Sequence, residues 1–321
     1  ANINALAYDH GANRLYVGGL FVNPGAFVAS WSQADGWRPL GSGVGSTVND
    51  IVVDEQRGRV YVTGLFQTAG GSGAQFIAMY ENGAWSQVGG GLSSFGQSLA
   101  LDPATGHLYA SGGFDFAEGR TVNFVARWDG AAWNALGSGF NDRAFDLHWD
   151  AANNRLIAGG WFTTAGGQPA NRIAFWQNNA WTTIPSGFND RVAAVTATPD
   201  GGTIFVGGDF TASGSTPVSR IAVVQGGTIS PIGAGANNTV EALAISPNGT
   251  SVLAMGTFTN IGGKAARIAA LPLSAAPVLG NLGGAVTFTE NGAAQPIVPT
   301  ITVSDSDSTT LASAEIRINS G

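Results

Sequence analysis

Leu15-Tyr16-Val17-Gly18-Gly19-Leu20-Phe21 decides the fold, because its Gly-x-Phe ending returns five times along the chain. The phenylalanines are Phe21, Phe66, Phe114, Phe162, Phe210 and Phe258, separated by 45 residues once and by 48 thereafter. Gly19, Gly64, Gly112, Gly160, Gly208 and Gly256 stand two positions ahead of them. A second aromatic follows at Trp31, Tyr80, Trp128 and Trp176, and a third at Trp37, Trp85, Trp133 and Trp181. The last two units lose these aromatics but keep Ile221-Ala222 and Ile268-Ala269 in the matching place.

Each unit reads as four short strands. The first alternates, as in Val240-Glu241-Ala242-Leu243-Ala244-Ile245. Asp-Pro-Ala-Thr-Gly at 102–106 or Pro-Asp-Gly-Gly at 199–202 turns it into the second. Asn-Gly at 82–83 or Asp-Gly at 129–130 turns the third into the fourth. No stretch sustains a helical period. Four strands in roughly 40–50 residues, repeated radially, predict a β-propeller. A β-solenoid fits less well, since its repeats are shorter and its strands parallel. The expectation is an all-β, six-bladed propeller of four-stranded antiparallel blades over residues 1–273. Six blades should close the ring, with the last strand taken from Ala276–Leu279 or from an upstream segment.

Composition narrows the function classes. Glycine accounts for 48 of 321 residues, about twice the usual share, and 44% of residues are apolar, as a packed protein requires. The formal charge is −7 and Lys264 is the single lysine, which argues against nucleic acid and anionic membranes as partners. The longest apolar run, Ile268 to Gly280, is broken by Pro272 and Pro277, so no membrane-inserted helix is expected. Without cysteine there are no disulfides, no thiol catalysis and no zinc–thiolate site.

Ile204-Phe205-Val206-Gly207-Gly208-Asp209-Phe210-Thr211-Ala212, with Arg220-Ile221-Ala222 and Gly235-Ala236-Asn237-Asn238-Thr239-Val240, resembles the delta-sixty type of bacterial propeller repeat, related in style to Kelch repeats. The resemblance spans residues 1 to about 273 and implies a part of a large secreted or surface protein. After a linker at 274–283, residues 284–321 look like the opening of a cadherin-like repeat of giant bacterial surface proteins, an incomplete β-sandwich. In such repeats a glutamate and an Asp-x-Asp bind calcium between consecutive domains. Glu290, Asp305 and Asp307 match that pattern, and their hard oxygens suit calcium. The alternative is a hydrophilic strand end with Asp-Ser turns. The chain is therefore read as part of a longer polypeptide, with further domains on both sides.

Candidate chemistry gathers on one face. In a propeller, the loops from strand four to the next strand one share a face with those joining strands two and three. Asn141-Asp142-Arg143 and Asn189-Asp190-Arg191 occupy equivalent loops, and Asn237-Asn238 the third. With Asp209 beside Phe210, they form a polar rim suited to a sugar or a metal ion. The competing reading is structural: Asn and Asp bond their own turns and Arg pairs along the rim. As glycosidase carboxyls, Asp142 and Asp190 each have an arginine alongside, which lowers a carboxyl pKa and opposes a general acid. Asp9, Asp54, Asp102 and Asp150 recur at one place and read as turn formers, and His10, His107 and His148 as solvated residues without metal spacing. The function expected is a non-catalytic binding or scaffold module of a secreted or cell-surface protein. It would recognise a glycan or protein on another surface through the channel face. The alternatives are a self-associating subunit of an extracellular filament or surface layer and, further off, a glycan-processing enzyme.

Overall fold

The computed structural model describes residues 2–246, 249–272, 278–280 and 302–304. Six antiparallel blades follow one another along the chain. Blade one comprises Asn2–Asp9, Arg14–Leu20, Val28–Ser32 and Gly36–Pro39. The other blades open on first strands Val48–Asp54, Gly96–Leu101, Ala144–Asp150, Val192–Ala197 and Val240–Ile245. In blades one to five all four strands pair in sequence order, and blade six shows three, ending in Ile268–Pro272. The first strands stand side by side around a central channel. Every one carries a β-bulge at the same place, such as Asn49, Phe145 or Ala193. A bulge bends a strand and re-aims its side chains, here at the channel.

The Gly-x-Phe repeat has a steric origin. A Cβ on Gly64, Gly208 or Gly256 would lie 2.1 Å from the carbonyl oxygen of Thr47, Arg191 or Thr239, the residue just before the blade's own first strand. Glycine is required there because strand and loop pass too closely for any side chain. The phenylalanine that follows is fully buried in blades two to six. Its carbonyl accepts a hydrogen bond from a residue in the left-handed region just ahead of the third strand: Phe76, Phe124, Arg172 and Arg220 donate at 2.8–2.9 Å.

Between the second and third strands of blades two to six lies a two-stranded ribbon that the sequence reading did not contain, such as Thr164–Ala165 with Gln168–Pro169. Single bridges (Val44 to Ala69, Phe140 to Ala165) tie it to the loop entering the blade. Both loop types therefore share a face, as expected. The turns from first to second strand behave as the aspartate pattern predicts. Asp9, Asp54, Asp102 and Asp150 are buried, and each Oδ1 accepts a backbone N–H two or three residues on.

The core is divided among the blade interfaces. Between blades four and five, Ile157, Ile173 and Ile184 meet Val192, Val195, Val206 and Phe210. Tryptophans clip neighbouring blades together: the indole N–H of Trp85 donates to Leu40 O (2.9 Å), Trp133 to Val88 O (3.1 Å) and Trp181 to Leu136 O (2.7 Å). Val278–Gly280, inside the expected linker and overlapping the stretch expected as the last strand of blade six, pairs antiparallel with Thr302–Ser304 instead of with Ile268–Pro272. The expected sandwich otherwise lies outside the described residues. Phe162→Ala empties the centre of the interface between blades three and four, and should cost about 3–5 kcal/mol in denaturant unfolding.

Candidate functional site

The rim residues singled out by sequence are brought to the expected face, and their side chains brace loops. Asn141 Oδ1 accepts from the N–H groups of Thr163 (2.8 Å) and Thr164 (2.9 Å), while its amide donates to Thr163 Oγ1 (2.8 Å). Asn189 repeats this with Thr211 and Ala212, and Asn237 with Thr259 and Asn260. Asp142, Asp190 and Asn238 accept from the next residue's N–H at 2.7–2.9 Å. Each asparagine thus ties the loop entering a blade to the loop that leaves its second strand.

Arg191 and Asp209 do more. Arg191 Nε donates to Asp209 Oδ2 (2.6 Å), and its Nη2 pairs with Glu241 (3.1 Å), joining blades five and six. Burial alone would raise the Asp209 carboxyl, but hydrogen bonds from Thr239 and Arg191 and the arginine charges hold it below its usual range. Burial likewise opposes the Arg191 charge, and the bonds to Asp209 and Glu241 reverse that effect.

The channel mouth is a polar cavity of about 450 Å3 to which all six first strands contribute. The bulge position supplies Asn4, Asn49, Gln97, Phe145, Ala193 and Glu241, one from each blade. Asn4 and Asn49 donate across to Val48 O and Gly96 O of the following blade. The Gln97 amide makes no hydrogen bond among the described residues. Beside the mouth, the Arg143 guanidinium lies 5.3 Å from the Phe145 ring centre and 5.0 Å from that of Trp161. Its Nε is buried without a hydrogen-bond partner, and it has no carboxylate partner among the described residues. Trp161 is 41% exposed.

One residue deeper lies a buried hydrogen-bonded group that the sequence reading missed. Asp50, Ser98 and Asp146 stand 48 residues apart, at one position of blades two, three and four. Asp50 accepts from Leu99 N (2.7 Å) of the next blade, and Asp146 from Val195 N (2.8 Å). Ser98 Oγ accepts from Leu147 N (3.1 Å) and lies 3.2 Å from Asp50 and 3.3 Å from Asp146. A hydroxyl has one proton to give, so Ser98 can donate to only one of these carboxyls. The other contact is satisfied when that carboxyl keeps its proton and donates to Ser98. Burial raises the Asp50 pKa to about 6. Burial, with the Asp50 charge adding to it, raises that of Asp146 to about 7. The legible signal was an acid at alternate copies of a position otherwise held by Ala or Ser.

His10 is exposed and pairs with Glu55, whereas His107 and His148 are partly buried, and burial lowers the pKa of both. The reading of all three as solvated holds only for His10. No group of three or more His, Asp or Glu side chains is placed to hold a metal among the described residues. The calcium set Glu290, Asp305 and Asp307 lies outside them.

Residues 151–174, the turn and second strand of blade four and the start of its third, match the family described as "Domain of unknown function (DUF5122) beta-propeller". No curated protein matches the chain.

Because Asp50 and Asp146 ionise later in the folded chain than the usual 3.8, the folded state binds more protons than the unfolded one between about pH 4 and pH 7. Their contribution to stability is greatest in acid and falls as pH rises through that window. Asp146→Asn keeps an acceptor for Val195 N without a charge. It should flatten the pH dependence of unfolding and stabilise the chain at pH 8 by about 1–3 kcal/mol, read from denaturant melts at pH 5 and pH 8.

Proposed function

We propose that this propeller is a non-catalytic recognition module of a larger secreted or cell-surface protein, and that it binds a glycan at the channel mouth. The observation that carries this reading is the group formed by exposed Trp161, the unpaired Arg143 and Phe145 beside a polar cavity. Sugar rings stack on aromatic faces, and their hydroxyls pair with amides such as that of Gln97. A guanidinium without a carboxylate partner favours an acidic sugar, which it would meet through two parallel N–H donors. The first strands give the site a rigid floor, so little ordering cost falls on binding. Calcium belongs to this proposal only through Glu290, Asp305 and Asp307, as a ligand of the segment after the propeller.

A glycan array of neutral and acidic oligosaccharides, probed in calcium and in EGTA, tests the reading. Wild type should bind acidic glycans, and Trp161→Ala and Arg143→Ala should each weaken binding at least about tenfold. Asn237→Ala, which removes the equivalent loop brace in blade six, away from Arg143 and Trp161, should bind normally. Folded wild type that binds no glycan, or binding that Trp161→Ala leaves intact, would falsify the proposal.

A further inference from the structure

Among the described residues, five of the six possible blade interfaces are packed, and the one between blade six and blade one is not. Each neighbouring pair of first strands from blade one to blade six packs together, but those of blade six and blade one do not pack in this way. The first-strand position held by Ile51, Leu99, Leu147 and Val195 faces the preceding blade and is 3–5% exposed, whereas Leu6 is 60% exposed. Ile3 is 61% exposed, and its counterparts Val48, Ala144, Val192 and Val240 are fully buried. On blade six, Ile268 occupies the third-strand position that faces the following blade. It is 66% exposed, while Val28, Ile77, Val125, Ile173 and Ile221 are fully buried. Val17, Phe21 and Ala29 form a small cluster of their own, with no residue of blade six. Trp37 is the counterpart of the three tryptophans that clip blades together, and its indole N–H donates to no described residue.

We propose that the slot between blade six and blade one receives one further four-stranded blade of this same repeat, carried by the same polypeptide. The five existing interfaces specify that occupant. Toward blade six it must present an apolar first-strand residue and a Gly-x-Phe phenylalanine, which Ile268 would cover. Toward blade one it must present an apolar third-strand residue over Ile3 and Leu6, and a backbone carbonyl for Trp37. One 48-residue repeat carries both faces. Every connection between blades here runs from the outermost strand of one to the innermost strand of the next. A blade joined ahead of Asn2 by the same connection therefore falls on the open face of blade one. A whole second copy of the chain fits less well, because its blades already cover one another except at its own open faces.

The test compares the chain as it stands with the chain extended ahead of Ala1 by a copy of residues 144–191. In the unextended chain, Ile3→Asp with Leu6→Asp should leave the melting temperature nearly unchanged, whereas Leu147→Asp lowers it sharply. In the extended chain, amide exchange in Asn2–Asp9 should slow by about tenfold or more, and the double substitution should abolish that protection. Three results overturn the proposal. The double substitution could destabilise the unextended chain as much as Leu147→Asp does, showing that blade six closes directly on blade one. The unextended chain could be dimeric with its Asn2–Asp9 amides protected, giving the slot to a second copy. The extension could also leave exchange in Asn2–Asp9 unchanged.

Discussion

Contact between the faces of successive blades is the constraint from which the rest of the molecule follows. An isolated four-stranded sheet of some forty residues has two apolar faces and no means of burying either, so each blade is stable only between neighbours. The sheet interfaces are built from one set of positions: the first-strand aliphatic, the buried phenylalanine and the tryptophan whose indole reaches back to the preceding blade. The same dependence makes the open side of blade one and blade six conspicuous. There Ile3, Leu6 and Ile268 retain the residue type of an interface without its burial.

Packing the blades places six innermost strands around a channel, and this creates a second requirement. The channel-side backbone N–H groups of these strands have no further strand to pair with. Asp50, Ser98 and Asp146 answer it by accepting from Leu99, Leu147 and Val195 of the following blades. Two carboxyls converge on one hydroxyl as a result, and the low-dielectric surroundings favour a retained proton. Asp50 Oδ2 and both oxygens of Asp146 are occupied by contacts between blades, and Asp50 Oδ1 by the N–H of Ile51. The Asp50–Ser98–Asp146 group is thus a structural brace, in which Gln97, Arg143 and Trp161, nearer the mouth, take no part.

The rim shows why repetition is a poor guide to a binding site. Asn141, Asn189 and Asn237 recur because each entering loop must be tied to the ribbon beside it, and all three make the same bonds. Arg143 and Arg191 occupy the same repeat position and both lie over the Phe145 ring, but they differ in their remaining partners. Arg191 has Asp209 and Glu241 within reach, while Arg143 has Trp161 and no carboxylate among the described residues. Departures from the repeat, at Phe145 and Trp161 above all, mark the places where chemistry is free to vary.

The sequence by itself determined what depends on local geometry and periodicity. A glycine two residues before each phenylalanine, aspartates at the turns and aromatics at fixed offsets suffice for four-stranded blades, their number and the face that the loops share. These features are legible because the same steric and hydrogen-bonding problem is solved six times at a nearly constant spacing. The ribbons after the second strands escaped that reading, because two-residue strands such as Thr164–Ala165 carry no alternation to detect. What only the tertiary structure decided is everything that depends on the angle between blades. Whether an acid at 50 meets a serine at 98 and an acid at 146, which arginine finds a carboxylate, and whether blade six reaches blade one are set by contacts across blades. Residues 48 apart meet there through rigid-body packing, and no pattern within a single repeat records it.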